Sequence, residues 1–258
     1  MKLKDRVALI TGSSVGIGKG IALAFAREGA DVVINDIDYG SANKVAKEID
    51  DLGRKSLFFG GDVSESDNVK RMVSYVVGKW GKIDILVNNA GIFNEMVPIH
   101  ERSEEEWSRV IDVHLKGTFL CSKYVGKIMI EGGIRGNVIN VASIVGLGGF
   151  PNRSAYGPAK SAILNLTKVM ALEWAPYGIR VNAIAPGYIL SEGAEKIFAS
   201  GKVDKEALEK RIPLRRLGTI GEVARVALFL ASEESTYITG GTIVVDGGWL
   251  ANADVQLP

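Results

Sequence analysis

Short runs of β-branched and apolar residues alternate with longer stretches of helical period along nearly the whole chain, and this alternation restricts the fold more than any other feature. The runs are Val7–Thr11, Asp31–Asn35, Lys55–Phe59, Ile83–Val87, Asn137–Val141, Arg180–Ile184 and Thr242–Val245. Several are almost wholly apolar, where a strand with one wet face would alternate, as expected of parallel strands covered on both faces. Helical patterns fill 16–29, 41–53, 65–80, 103–130, 154–176, 192–210 and 219–231, some opened by a capping residue such as Ser64, Ser103 or Thr219. Strand and helix in that rhythm, joined by right-handed crossovers, predict an α/β fold with a doubly wound, seven-stranded parallel sheet and helices on both faces.

The 258 residues suit one domain, with no repeat or linker to divide them. Within it a cofactor half spans about 1–140 and a catalytic and substrate half about 141–258, with a lid over about 188–215 following Pro186 and Gly187. A composition of 47% apolar and 24% charged residues is that of an ordinary globular protein. The formal net charge is +1, and no run of five like charges occurs, so nucleic acid is not an expected partner. Cys121 is the single cysteine, which forbids an internal disulfide and a cysteine-based metal cluster and reads as a core thiol. The charged start and the lack of any long apolar segment predict neither a signal peptide nor a membrane span, making the cytoplasm the default location.

Thr11–Gly18 follows the first strand directly and opens a helix, the context in which a glycine-rich string becomes a Rossmann-type phosphate cradle. Gly12 permits the turn, Gly16 lets the backbone approach a pyrophosphate, and Gly18 allows close helix packing; Ser14 and Ile17 complete the candidate cofactor contacts. A purely structural turn is the competing reading. Asp36, at the end of the second strand, can accept hydrogen bonds from the adenosine ribose hydroxyls, and its charge would repel a 2′-phosphate. Asp38 could substitute for it. Val15 stands where an arginine or lysine could have paired with such a phosphate, so NAD is expected over NADP.

Tyr156 and Lys160 are spaced to share one helix face. A phenol is a poor base at neutral pH, and a neighbouring ammonium is expected to favour the phenolate. Ser143, at the end of the fifth strand, can hold a substrate oxygen at the edge where open parallel sheets bind ligands. Tyr156 would then exchange a proton with that oxygen, and no metal is required.

These residues together resemble the short-chain dehydrogenase/reductase family over essentially the whole length. Asp62 and Val63 resemble the family's adenine-contacting pair, and Asn88, Asn89, Ala90 and Gly91 its signature after the fourth strand. Ser143, Tyr156 and Lys160 match its catalytic trio. Pro186, Gly187, Ile189 and Ser191 resemble the segment that holds the nicotinamide carboxamide, with serine where the family often has threonine. The resemblance implies hydride exchange between a nicotinamide and an alcohol or carbonyl compound, and a homotetramer, to which Asp246–Gly248 near the C-terminus also point.

His114 departs from the pattern, standing where the family usually has the asparagine of a catalytic tetrad. In the family that residue helps place a water linking the lysine to solvent, partly through its backbone carbonyl. Three readings follow: a tolerated substitution, a relay group titrating near its reference value of about 6.5, or a mark of weakened activity. The expected pocket walls are Ile144–Phe150, Asn94 and the lid. Being mostly apolar, they suit a secondary alcohol, polyol, sugar or 3-oxoacyl compound. The rival readings are an NADP-dependent 3-oxoacyl-type reductase and a catalytically idle dinucleotide sensor or scaffold.

Overall fold

The computed structural model describes residues 1–93, 95–199, 201 and 203–252; Asn94 lies outside them. Its strands are β1 (Val7–Thr11), β2 (Asp31–Asp36), β3 (Ser56–Gly60), β4 (Ile85–Asn88), β5 (Asn137–Val141), β6 (Arg180–Pro186), β7 (Ile189–Leu190), β8 (Gly218–Thr219) and β9 (Thr242–Val245). The helices are α1 (Gly16–Arg27), α2 (Tyr39–Asp51), α3 (Ser66–Trp80), α4 (Glu104–Ile111), α5 (Gly117–Glu131), α6 (Tyr156–Trp174), α7 (Glu192–Ala199), α8 (Lys205–Arg211) and α9 (Ile220–Ala231). Seven strands form one sheet in the order β3-β2-β1-β4-β5-β6-β9, every neighbouring pair parallel.

Period-two alternation divides each strand between two cores. Ala8 and Ile10 of β1, Val32 and Ile34 of β2, and Ile85 and Val87 of β4 face one layer, filled by Ile21 and Phe25 of α1, Val45 of α2 and Val223 of α9. Leu9, Val33 and Leu86 face the other, filled by Met72 of α3, Val125 and Met129 of α5 and Met170 of α6. Cys121 sits in this second core, where burial pushes its thiol up to about 12. Each large apolar side chain buried this way stabilises the fold by about 1.5–3 kcal/mol.

The chain runs outward from β1 to β3, then returns so that β4 pairs on the other side of β1. The crevice beyond the carboxyl ends of β1 and β4 is therefore the switch point at which such sheets take their ligands. Buried amides brace it. Asn88 Nδ2 donates to Asn140 Oδ1 (2.8 Å) and Ser122 Oγ (2.9 Å), and Asn140 Nδ2 donates to Thr167 Oγ1 (2.8 Å), tying β4 and β5 to α5 and α6.

Several local expectations need correction. The pattern read as one helix over 192–210 is two helices, α7 and α8. Gly201 takes the left-handed φ of 69° between them, and Asp204 accepts from Ala207 N (3.1 Å) to start α8. The pattern over 103–130 is broken by a π-helical segment, Asp112–Lys116, between α4 and α5. Ser103 and Thr219 cap α4 and α9, the latter in a reciprocal capping box with Glu222, but Ser64 does not cap α3. Its backbone and hydroxyl both turn back to Asp62. β7 and β8 were unforeseen; they pair with each other and join the two ends of the segment that carries α7 and α8. No helix among the described residues is long and apolar enough to cross a membrane.

Candidate active site

The glycine turn is built by close backbone approach. Gly12 holds φ 61°, and a Cβ on it would lie 2.7 Å from the Cα of Ala90. One on Gly18 would lie 2.2 Å from the Gly12 carbonyl oxygen and 2.5 Å from Asn89 Nδ2. Asn89 Nδ2 donates to the carbonyls of Thr11 (3.0 Å) and Gly12 (2.8 Å), while Thr11 Oγ1 accepts from the amides of Asn89 and Ala90, both at 3.0 Å. The segment after β4 and the turn after β1 thus form one hydrogen-bonded unit. Thr11 was not singled out from the sequence, although a hydroxyl ending an apolar strand was its signal.

Gly16 has φ 58°, and a Cβ there would meet nothing within 4 Å, so open space lies over the first turn of α1. That room, at a helix N-terminus, fits the pyrophosphate of a dinucleotide. Asp36 stands beside it: Oδ2 accepts from Ser14 N (3.0 Å), and Oδ1 accepts from the amides of Ile37 (2.8 Å) and Asp38 (3.2 Å). The Asp38 carboxylate caps α2 through Gly40 N, Ser41 N and Ser41 Oγ. Val15 is exposed at the same rim.

Asp62 is held in place by its neighbours. Its Oδ2 accepts from Arg109 Nη2 at 2.6 Å and its Oδ1 from Ser64. Burial alone would raise its carboxyl, but Arg109 and Ser64 more than offset this and hold it below the usual range. The side chain of Val63 is buried in the core against Gly117. Gly187 packs against Asp246, and Ile189 is buried. Ser191 Oγ accepts from Ala194 N (3.3 Å) at the start of α7, so its hydroxyl has a structural task as well.

Tyr156 opens α6 and Lys160 follows one turn later on the same face. Lys160 is 4% exposed, with Nζ donating to the Val141 carbonyl (2.7 Å) at the end of β5 and lying 5.5 Å from the centre of the Tyr156 ring. Ser143, also buried beyond β5, accepts from Val145 N (3.2 Å). The expected depression of the Tyr156 phenol is not found. Burial pushes it above the ordinary value, with Ser143 and Arg153 pulling the other way, while burial brings Lys160 down to about 7. The reason is desolvation: both groups lose water, and the lysine charge is itself disfavoured. The phenol is therefore held in its protonated form beside a readily discharged cation.

His114 lies in the π-helical segment, 3% exposed, its ring edge-on to Tyr156 at 5.2 Å. Nε2 meets both the amide (3.1 Å) and the carbonyl (3.0 Å) of Ile92, and Nδ1 is buried without a partner. A Cβ on Gly91 would lie 2.4 Å from His114 Cε1. Burial, then the Lys160 charge, bring the imidazole down to about 3. That overturns the reading of His114 as a relay titrating near neutrality: it is neutral there and holds the Ile92 backbone in place. Its carbonyl accepts from Thr118 Oγ1 at 2.7 Å.

A stability effect follows. The unfolded imidazole takes up a proton near 6.5 while the folded one stays neutral to about 3, so stability is fully present above 6.5 and is lost as pH falls through that window. His114→Asn should flatten this loss by up to about 1.4 kcal/mol per pH unit, read from denaturation midpoints between pH 4 and pH 7. An unchanged slope would contradict the assignment.

Three comparisons bear on this arrangement. A family model described as enoyl-(acyl carrier protein) reductase matches residues 12–250. The chain is 42% identical over 248 residues to the 3-oxoacyl-(acyl-carrier-protein) reductase FabG of Thermotoga maritima, covering 96% of this chain and 99% of that one. It is 41% identical over 249 residues to the cyclohexanol dehydrogenase of an Acinetobacter species, with 96% of each covered. A solved structure from Agrobacterium tumefaciens, described as a 2-deoxy-D-gluconate 3-dehydrogenase with bound NADP, superposes with a TM-score of 0.89 at 35% identity, covering 97% of this chain and 98% of that one.

Proposed function

The chain belongs to the short-chain dehydrogenase/reductase family, as an oxidoreductase of alcohol and carbonyl groups, and from that premise we propose that it is an NAD-dependent enzyme for a secondary alcohol or its ketone, with Tyr156 as proton donor and acceptor. The observation that carries this reading is the meeting of Tyr156, Ser143 and Lys160 beyond β5, at the same edge of the sheet as the glycine turn.

Gly12, Ser14, Gly16, Ile17 and Gly18 would hold the pyrophosphate, Asp36 the adenosine ribose, and Asn89–Gly91 with Pro186–Ser191 the nicotinamide half. A bound nicotinamide dinucleotide supplies the hydride acceptor or donor. The chain supplies the rest. Ser143 orients the substrate oxygen by hydrogen bonding, so that the charge developing there meets fixed donors. Tyr156 gives its phenolic proton to that oxygen in reduction and takes it back in oxidation. Lys160 stands behind the phenol, where its ammonium, while protonated, stabilises the phenolate once the proton has left. The shell of Ile144, Val145, Phe150 and Tyr188 keeps water from the reacting oxygen.

NAD preference rests on Asp36, whose charge is fixed beside Ser14, and on the neutral Val15. Asp36→Asn keeps an acceptor for Ser14 N while removing the charge that repels a 2′-phosphate. The ratio of NADPH to NADH dissociation constants should fall roughly 10-fold, measured by fluorescence titration of the reduced dinucleotides. Tighter binding of NADPH than NADH by the unaltered protein would refute the preference. The NADP-bound solved relative and the 3-oxoacyl reductase FabG favour the second reading, an NADPH-dependent carbonyl reductase. A panel of cyclic alcohols, polyols, sugar acids and 3-oxoacyl thioesters, followed by nicotinamide absorbance, tests the reaction class. Silence across it with both dinucleotides would leave only a binding role.

A further inference from the structure

Arg153 stands three residues before Tyr156, in the turn that leads into α6. Asn152 before it takes a left-handed φ of 62°, and the Arg153 carbonyl accepts from Gly157 N at 2.8 Å, fixing the backbone. Other arginines are matched to carboxylates, Arg109 to Asp62, Arg216 to Glu222 and Arg102 to Glu106. Arg153 is half-buried and forms no ion pair or side-chain hydrogen bond with the described residues. A guanidinium without a protein counter-charge keeps its paired donors free for an arriving anion.

Its surroundings show where that anion would sit. Arg153 lines a cavity of about 780 Å³ with Ile99, Val145, Leu147, Phe150 and Ser154, on the flank of the segment that runs from Ser143 to Tyr156. The Ser154 hydroxyl is buried with no hydrogen-bond partner. Val145, whose amide donates to Ser143 Oγ, and Gly157, the residue after Tyr156, line the same cavity, and the charge of Arg153 acts on both the Tyr156 and the Tyr188 phenols. Arg211, at the end of α8, also acts on the Tyr188 phenol, and it is stacked 4.1 Å over Trp249, whose ring lies 4.7 Å from that of Tyr188. The rest of the lining is mixed, with Pro98 and Pro158 beside the polar His100, Asn152 and Ser161.

We propose that the substrate carries an anionic group, a carboxylate or a phosphate, away from its reacting carbon, and that Arg153 receives it. This rests on the oxidoreductase reading above and adds the substrate class to it. The guanidinium offers paired donors to either anion, while the apolar walls hold the carbon skeleton. A neutral alcohol of the same shape gains nothing from Arg153, so the cation acts as a specificity determinant and sets the end from which the substrate enters.

The test uses the best neutral alcohol found in the panel and two analogues in which a terminal methyl is replaced by a carboxylate or by a phosphate monoester. The charged analogues should exceed the neutral one in kcat/KM by roughly 10- to 100-fold. Arg153→Gln should bring that ratio to about one, chiefly through KM, and Arg153→Lys should retain most of it. In parallel, the preferred anion should raise the melting temperature of the NADH-loaded protein but not that of NADH-loaded Arg153→Gln. Which analogue wins separates carboxylate from phosphate. A flat ratio in the unaltered enzyme overturns the proposal, as does a ratio unmoved by Arg153→Gln; equal losses on all three compounds would mean that Arg153 serves only the Tyr156 phenol. Failure of the oxidoreductase reading is distinct, being silence of the whole panel, and the melting measurement still decides anion binding in that case.

Discussion

Tyr156→Phe should lower kcat/KM by roughly two to four orders of magnitude, the share of rate that a positioned acid or base contributes, while leaving dinucleotide affinity within about threefold because the ring itself is kept. The phenol begins α6 and its ring packs edge-on against His114, so phenylalanine preserves the packing and removes one oxygen. Direction of catalysis gives a second signature. Burial holds the phenol above its ordinary value, so the protonated form that reduction needs is present throughout the neutral range. Oxidation needs the phenolate, and its kcat/KM should climb with pH into the alkaline range in the unaltered enzyme and lose that climb in the variant. Steady-state rates in both directions between pH 6 and pH 10 check both points. A variant as fast as its parent would remove Tyr156 from the mechanism.

The second large effect is expected at the glycine turn, where two substitutions of the same size should act by different routes. Gly18→Ala puts a methyl 2.2 Å from a backbone oxygen, and neither backbone can yield without moving the turn. Overpacking of this kind costs about 1–3 kcal/mol, and the displaced turn should weaken NADH binding by roughly 100-fold or more, equivalent to about 2.7 kcal/mol. Gly16→Ala meets no neighbour, but its φ of 58° belongs to the left-handed region, at a cost of about 1–2 kcal/mol. Its methyl also enters the space a pyrophosphate would need. Calorimetry with NADH, together with denaturation, reads both effects: each variant should lose stability and dinucleotide affinity, the first through a backbone clash and the second through a strained φ and a filled cradle. Unimpaired binding by both would mean that the turn does not cradle the dinucleotide.

Apolar periodicity made most of the sheet readable. In Val7–Ile10 of β1 and Val32–Ile34 of β2 both faces are apolar because helices cover both sides, and the strands fall within a residue or two of where the pattern puts them. The break at Asp112–Lys116 could not be read, since one extra residue in a helical turn leaves apolar residues on both sides of the break. The division of 192–210 left a trace in Gly201 and Asp204, a helix stop and a helix start within one stretch. The positions of Ser143, Tyr156 and Lys160 at one edge were legible because each is tied by local spacing to a strand end or a helix start. The environment of the pair was not. Spacing says that Tyr156 and Lys160 face the same way, but how much water each has lost depends on parts of the chain far away. His114 shows the same limit, since its attachment to Ile92 and its fit under Gly91 are long-range contacts. Arg153 was passed over for that reason: an arginine in a loop is ordinary until its lack of a carboxylate partner is seen.

The short pairing of Ile189–Leu190 with Gly218–Thr219 gathers both ends of the covering segment onto one footing. That footing continues into α9, whose first residue, Ile220, lies so near α1 that a methyl on Gly20 would sit 2.1 Å from its side chain. Since α1 begins at the glycine turn, the segment that carries α7 and α8 and that turn are mounted on the same pair of touching helices. Loosening the packing of α1 on α9 would therefore disturb both together, which makes residue 220 part of a mechanical joint between them.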